Sequence, residues 1–501
     1  MEFWWVDDGW DIFIAQKILD SIGHFNLEWL DIIFNESGGR LRAMYWIYQA
    51  TEHLIGGNNP TLHFLVHYLV ILGAALLIFR IVLYLTKSGL SAFFASILYV
   101  LIPLNTENIF RLGPQEPLLG LFLAVSIYYL LKNKTYSSIL FLLFAILTKE
   151  NGFVLWIPVL FYYLAKRIVL KTRDKSLEKY TLWGIIFTIP VILNTLLRRG
   201  GYSGFYTFEI DKIMSHFISY ISLINEAFSP LLVIFVTTFL FRSFVIFRNG
   251  KHKKYGEGLL RQAMFLLMFF ALIVVQSPWA YVLNRYVMPA TIGLVIFMGM
   301  ELIGIINYLV QTKKSKILPL LTAVFAIYLI SFLWINTAHV FLSGQLSAHQ
   351  TSFIQSLYKS LAKEVPANGV VLLNFREVDS TKELVIETGM HLDLLYNRSD
   401  IKVDYLDLNE LPNADYIIVG TPQVPEQYTN EQIEKNVKNY RKDEGLAKND
   451  KYLILTTPAN LFKQIIKKTY KLVAHKTPFT SEGIYTYYIS QDYWYRYYIG
   501  K

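Results

Sequence analysis

The chain has 501 residues, 54% of them hydrophobic and only 17% charged, with a formal net charge of +9. Soluble domains are about a quarter charged, so this composition excludes an ordinary soluble fold and points to a chain built for lipid. With no cysteine in the sequence, disulfides, thiolate metal sites and thiol nucleophiles are excluded as well.

In chain order, residues 1–60 are too polar to span a bilayer. Trp10, Ile14, Ile18 and Ile22 recur every four residues, and Met44, Ile47, Tyr48 and Leu54/Ile55 keep helical spacing. That pattern predicts an outer loop with two amphipathic helices lying in the membrane interface; a soluble N-terminal subdomain is the alternative. Apolar runs follow at 61–86, 90–104, 117–131, 135–148, 152–170, 181–197, 229–247, 261–277, 287–310 and 317–338. Each is an expected membrane helix, because crossing the hydrocarbon takes roughly 20 apolar residues and lipid offers the backbone no partner outside it. From residue 341 charged segments alternate with short β-rich runs. Strands are predicted at 369–375, 401–407, 415–420 and 452–457, helices at 380–396 and 429–441, and a closing hairpin in the Tyr-rich tail at 485–498. The expected architecture is a polytopic α-helical membrane protein with about ten transmembrane helices (61–340), followed by an extracytoplasmic α/β domain (341–501).

Charge sets the orientation. The loops around Lys87, Lys132/Lys134, 166–179, 242–261 and 313–316 hold eighteen Lys or Arg, whereas the alternate loops hold Arg111, Lys149, Arg198, Arg199, Lys212 and Arg285. By the positive-inside rule the first set is cytoplasmic. The net positive charge therefore belongs to membrane anchoring and not to a nucleic-acid partner. The chain is expected in the cell membrane with both termini extracytoplasmic. The absence of native cysteine makes this testable: a cysteine replacing Lys253 should be shielded from an impermeant thiol reagent in intact cells, and one replacing Ser399 should react. The reverse pattern would overturn the orientation.

Four polar clusters fall on the predicted outer face. Asp7-Asp8, within Trp4-Trp5-Val6-Asp7-Asp8-Gly9-Trp10, sets two adjacent carboxylates at an aromatic-rich interface. Repulsion and lost solvation raise the pKa of one, as a general base requires; a solvated turn before a helix is the bland alternative. Pro103-Leu104-Asn105-Thr106-Glu107, with Arg111 and Gln115-Glu116-Pro117, offers Glu107 and Glu116 to a polar substrate or metal, or else a self-neutralising salt bridge. Lys149, in the turn Thr148-Lys149-Glu150-Asn151-Gly152, is a point charge suited to phosphate, or one half of a surface ion pair with Glu150. Arg285, in Asn284-Arg285-Tyr286, can grip phosphate bidentately or sit among lipid headgroups. Outside these clusters, Glu209 and Asp211 could complete a site for a divalent cation such as Mg or Mn, or be surface charge. Glu301 falls within a span and is read as a buried pair or a snorkelling residue. His63 and His67 sit one turn apart with no third ligand, which favours helix packing.

In this order the motifs resemble the GT-C superfamily of membrane glycosyltransferases. They are Asp7-Asp8, Asn59-Pro60-Thr61-Leu62-His63, Pro103-x-x-x-Glu107 and Thr148-Lys149-Glu150, with an echo at Arg285-Tyr286. The similarity is to the membrane half of the tetratricopeptide-containing O-mannosyltransferases and their bacterial relatives, and it covers about residues 4–165. That family has a transmembrane helix ahead of the Asp-Asp loop, an Arg-Pro-Leu within it and helical repeats after the membrane half. Here six residues precede Asp7, Arg40-Leu41-Arg42 stands in for the tripeptide, and the α/β tail takes the place of the repeats.

The resemblance implies a mannosyltransferase-like hexosyl- or pentosyltransferase of cell-envelope glycosylation. It would move a sugar from a polyprenyl-phosphate donor to a protein, lipid or polysaccharide acceptor, with inversion. Asp8 or Asp7 would be the base, and Lys149, Arg285 and Arg111 would bind the donor phosphate. A transporter or flippase is the rival reading, which would favour ionisable residues near the bilayer midplane. A membrane anchor for the C-terminal domain is the third.

Overall fold

The computed structural model describes residues 8–39, 42–197, 209–249, 252–279, 282–311, 318–365, 367–374, 381–405, 416–420, 452–456 and 495–499. It opens with three helices where the apolar spacing predicts two: α1 (Asp8–Gly23), α2 (Glu28–Gly39) and α3 (Ala43–Gly56). They share a small core of Ile14, Ile18, Ile33, Tyr45, Trp46 and Ala50, against which Leu147 of the membrane bundle packs. This N-terminal unit is therefore a packed helical layer on the bundle. Isolated helices on lipid would share no such core.

A helix occupies each of the ten apolar runs. α4 (Pro60–Thr86) starts where the Asn59 side chain accepts the Thr61 N–H at 3.0 Å, with proline at the first helical position. α5 (Gly89–Leu101) stops at Pro103, which supplies no N–H. Through a 3₁₀ turn, Pro103–Asn105, the chain bends by 50° into α6 (Thr106–Phe110). Next come α7 (Glu116–Leu131), α8 (Thr135–Thr148), a 3₁₀ turn Glu150–Leu155 and α9 (Trp156–Val169). The bundle continues with α10 (Lys175–Leu197), α11 (Ile210–Phe228), α12 (Leu231–Arg248), α13 (His252–Gln276), a 3₁₀ turn Asn284–Val287, α14 (Met288–Gln311) and α15 (Leu318–Glu364).

Among the described residues six helical segments are long and apolar enough to cross a membrane: Pro60–Thr86, Glu150–Val169, Leu231–Arg248, Tyr255–Gln276, Asn284–Ile306 and Ala323–Phe341. The bent α5–α6 pair makes a seventh if it is counted as one span. The count falls short of ten partly because α7 and α8 have only 16 and 14 residues. At 1.5 Å per residue each rises about 21–24 Å, less than the ~30 Å hydrocarbon core. They clasp each other through small polar groups: Ser126 Oγ donates to the Ser138 carbonyl at 2.8 Å and Ser138 Oγ to the Ser126 carbonyl at 2.7 Å.

The segment Asn284–Ile306 is the axis of the bundle, with 83% of its apolar window buried against 17% for Leu231–Arg248 and for Ala323–Phe341. A helix apolar on every side belongs in the centre. Gly293 lets α13 approach it: a Cβ there would lie 2.6 Å from the Phe265 carbonyl oxygen. Glu301 on α14 is a buried pair, as one of its two readings has it. Its Oε2 accepts from Arg242 of α12 at 2.5 Å and from Gln262 of α13 at 3.1 Å.

Basic loops gather at one end of the bundle. Lys87 and Lys132 both lie over the Tyr84 ring, at 4.8 and 4.1 Å. Lys166 pairs with Asp174 at 3.0 Å and with Glu257 at 3.6 Å. Tyr84, Asn133, Asp174 and Glu257 line a common cavity. Glu116 and Lys149 lie at the opposite ends of α7 and α8 from those loops, so the helices themselves separate the two sets of charges.

α15 runs without a break through residue 341, so the α/β unit begins at about residue 367 and not where the composition shifts. Its elements are β1 (Val370–Asn374), α16 (Thr381–Tyr396), β2 (Lys402–Tyr405), β3 (Tyr416–Gly420), β4 (Tyr452–Thr456) and β5 (Tyr495–Ile499). The sheet order is β2-β1-β3-β4-β5, with parallel pairings up to β4 and an antiparallel β5 at the edge. The Tyr-rich tail thus closes the sheet by pairing with β4; the predicted helix at 429–441 and residues 485–494 lie outside the described residues. Arg398 ties this unit to the bundle by donating to the Val365 carbonyl at 3.0 Å and to the Ala362 carbonyl at the end of α15. α16 packs on the N-terminal layer, where Leu394 and Leu395 meet Ile12, Phe64 and Leu112.

Candidate functional site

Predicted polar residues converge at the end of the bundle remote from the basic loops. The bend at Pro103 swings α6 across that end and carries Glu107 and Arg111 with it. Glu116 is the first residue of α7, and Arg285 sits in the 3₁₀ turn leading into α14. Lys149 is aimed by the turn after α8, which folds back so closely that a Cβ on Gly152 would lie 2.7 Å from the Ala145 carbonyl group.

Three ion pairs, two of them sharing Glu107, meet beside one ring. Glu107 Oε1 accepts from Arg111 at 2.5 Å and from Arg285 at 3.3 Å. Lys149 Nζ donates to Glu116 and lies 4.2 Å from the centroid of Tyr286, while Arg285 Cζ lies 5.4 Å from the same centroid. Tyr286 therefore presents its electron-rich face to two cations from separate loops. These contacts join three cations and two carboxylates in one linked set. Asn108 stitches the turns together: its Nδ2 donates to the Arg285 carbonyl at 2.8 Å, and its own carbonyl accepts from His67 at 2.6 Å. His67 is thereby committed to packing, and His63 likewise contacts the Gly57 carbonyl at 2.8 Å. Tyr220 of α11 is buried beside the cluster, hydrogen-bonded to the Leu283 backbone, and burial pushes its hydroxyl up, so it stays a neutral phenol.

The burial of Lys149 corrects the view of it as a surface residue. Lys149 is 5% exposed and Glu116 1%. The partner found is 33 residues away in sequence and on another helix, where the chain order suggests the adjacent Glu150. Glu150 itself heads the 3₁₀ turn Glu150–Leu155, half-buried.

Asp8 is the first residue of α1, and Asp7 lies outside the described residues. One turn further on, Asp11 is buried and accepts the Tyr45 hydroxyl at 2.6 Å. That hydroxyl also lies 2.9 Å from the carbonyl of Gly113, in the loop between Arg111 and Glu116. The start of α1 is thus docked on the loop that carries the cluster. Sequence spacing gave no sign of Asp11, Tyr45, Asn108 or Tyr220, because each acts through a partner distant in the chain.

Glu209 and Asp211 do not join this set. Glu209 is exposed, just ahead of α11, and pairs with Lys212 at 3.0 Å; Asp211 is exposed in the first turn, where acids favour a helix start. Among the described residues no group of three or more His, Cys, Asp or Glu could hold a metal ion. No protein-family model matches the chain, and no curated protein matches it.

Proposed function

We propose that the chain is a GT-C-like membrane glycosyltransferase that moves a sugar from a polyprenyl-phosphate donor to an extracytoplasmic acceptor. One observation carries the reading: Lys149 and Arg285 meet at Tyr286, paired with Glu116 and with Glu107, which also holds Arg111, at the bundle end opposite the basic loops. A lipid-phosphate leaving group remains at the membrane surface, so its oxygens need fixed cations at a helix end, and three are gathered there. Cations fixed there suit an anion, and a half-buried setting strengthens the attraction.

In this reading the acceptor hydroxyl gives its proton to Asp8, or to Asp7, as its oxygen bonds to the anomeric carbon. The bond from that carbon to the phosphate oxygen breaks on the opposite face, so the configuration inverts and polyprenyl phosphate departs. Lys149 and Arg285 offset the charge that grows on the leaving oxygen, while positioning supplies much of the rate. Its partners in this scheme are the donor, the acceptor and the membrane.

The transporter reading draws on Arg242, Gln262 and Glu301, charged and polar groups within the spans. They bond one another, which accounts for their presence as packing.

Binding of polyprenyl phosphate to the purified protein tests the donor site. Arg285→Lys keeps the charge and loses the planar fork, and its affinity should fall about tenfold or more. Unchanged affinity together with lowered thermal stability would make Arg285 a structural partner of Glu107 only.

A further inference from the structure

We propose that α2 and the turn before it form a lipid-facing edge of the N-terminal layer, sunk into the bilayer surface at the end of the bundle that carries the candidate site. The occupant of this edge is the interfacial region of the lipid. The inference does not depend on the transfer chemistry.

α2 is the helix that the apolar spacing of residues 1–60 does not predict, and it has two apolar faces. Ile33 is 3% exposed and, with Trp29 and Ile32 packed beside it, joins the core shared with α1 and α3. Leu27, Leu30 and Phe34 stand three and four residues apart and are 71%, 36% and 46% exposed. At 100° per residue, Ile32, Trp29, Ile33, Leu30, Phe34 and Leu27 follow one another around the axis as one apolar arc of roughly 220°. Glu28 and Asp31, both exposed, occupy the sector that remains. A helix covers a protein core with an apolar stripe of about 100°, so the rest of the arc faces a second apolar phase. Protein, lipid and water in that order around one axis is the arrangement of a helix lying along a membrane boundary.

The turn ahead of α2 extends the edge. Phe25 is 97% exposed and Ile22 47%. Phe25 also holds φ at +52°, the left-handed region that favours glycine. A phenyl ring kept at a strained and exposed position is unfavourable in water on both counts, and moving the ring into lipid removes the second of them.

The layer also sits at the level of the bilayer. Leu147, in the last turn of α8, packs against its core, so the layer meets the bundle where the apolar part of α8 ends. α3 leads through a three-residue turn into α4, which is long and apolar enough to cross a membrane. The exposed Leu54 and Ile55 at the end of α3 precede the stripe Leu65, Leu69, Leu72 and Leu76 along α4, exposed by 51% to 58%. The lipid-facing surface of the bundle thus continues along the chain into the layer. Charge narrows the occupant further. No Lys or Arg lies between Ser21 and Phe34, so the edge has no cation for an anionic headgroup and is held by apolar burial. The exposed stripe offers no side-chain hydrogen-bonding group either, whereas protein interfaces carry about one hydrogen bond per 100–200 Å².

The absence of native cysteine gives clean single-site labels on the full chain. Phe25→Cys, Leu30→Cys, Phe34→Cys and Asp31→Cys would each carry a bimane fluorophore, in nanodiscs of dioleoyl-phosphatidylcholine with one chain per disc. All four positions are exposed, so the changes remove no core packing. Lipid with a nitroxide high on its acyl chain reports contact with the bilayer, and iodide reports contact with water. Labels replacing Phe25, Leu30 and Phe34 should lose most of their emission to the nitroxide lipid and little to iodide, since in-plane helices sink about 5–10 Å. The label replacing Asp31 should do the opposite. Raising the salt concentration or adding dioleoyl-phosphatidylglycerol should leave the pattern unchanged. Quenching of the three stripe labels by iodide and not by lipid would overturn the proposal and leave the edge in water. Resistance to both quenchers would overturn it too, because another part of the chain would then cover the stripe. Lipid quenching at Asp31 as strong as at its neighbours would contradict the water-facing sector and with it the placement of the helix.

Discussion

Replacing Lys149 by Gln should destabilise the protein by about 3–5 kcal/mol, the cost of leaving a buried carboxylate without its cation. Glu116 is 1% exposed at the head of α7, and Lys149 reaches it from the turn after α8. A surface pair would contribute about 1 kcal/mol at most, so the size of the effect separates the two placements. The compensated variant Glu116→Gln with Lys149→Met should recover most of the loss, because removing both charges leaves no unpaired ion. Thermal unfolding of the purified variants measures this. A Lys149→Gln protein as stable as the native one would mean that Glu116 is hydrated or neutral, and the buried-pair description would fail.

Asp8→Asn should lower turnover by roughly 10²–10⁴ while donor binding is largely kept. The change preserves size and hydrogen bonding and removes proton acceptance. Its structural basis is the docking of α1, where Asp11 and Tyr45 hold the helix start against the Gly113 loop. Asp7→Asn must be measured beside it, since sequence chemistry suits either carboxylate. Full activity in the double Asn variant would remove both residues from the mechanism. If Tyr45→Phe, which cuts the tether without touching either Asp, also slows turnover, the docking of α1 matters to the chemistry.

Much of the fold was legible because its signals are local. The apolar runs, the Asn59-Pro60 helix start and the break at Pro103 follow from side-chain type and backbone chemistry over a few residues. Alternation of β-rich and charged segments likewise predicts strands of an α/β unit; that β1 pairs in parallel with β2 and β3 is a finding of the structure. The shortness of α7 and α8 is visible in their lengths. Their Ser126–Ser138 clasp is not, because it depends on register between two helices. The end of the α/β boundary was misplaced for a related reason: composition shifts at 341, but the α15 backbone continues as one helix to Glu364.

At the candidate site, sequence gave the charged residues and their common face, but not who pairs with whom. Lys149 beside Glu150 looks like a local pair, and the fold instead joins it to Glu116. Arg111 and Glu107, four residues apart, were legible as a helical pair, whereas sharing Glu107 with Arg285 requires α6 to cross the 284–287 turn. Tyr286 was named only as part of a motif; its place between two cations is a tertiary fact.

The central claim is that this chain breaks the bond between a sugar and a polyprenyl phosphate, and one measurement addresses it most directly. Purified protein would be reconstituted with a panel of radiolabelled polyprenyl-phosphate hexoses and pentoses, and release of free polyprenyl phosphate followed with time. The account predicts release from at least one donor, dependent on an added acceptor, and abolished in the Asp7→Asn, Asp8→Asn double variant. Donors that bind at the Lys149–Arg285 end and cross between leaflets intact would contradict it and make the chain a transporter.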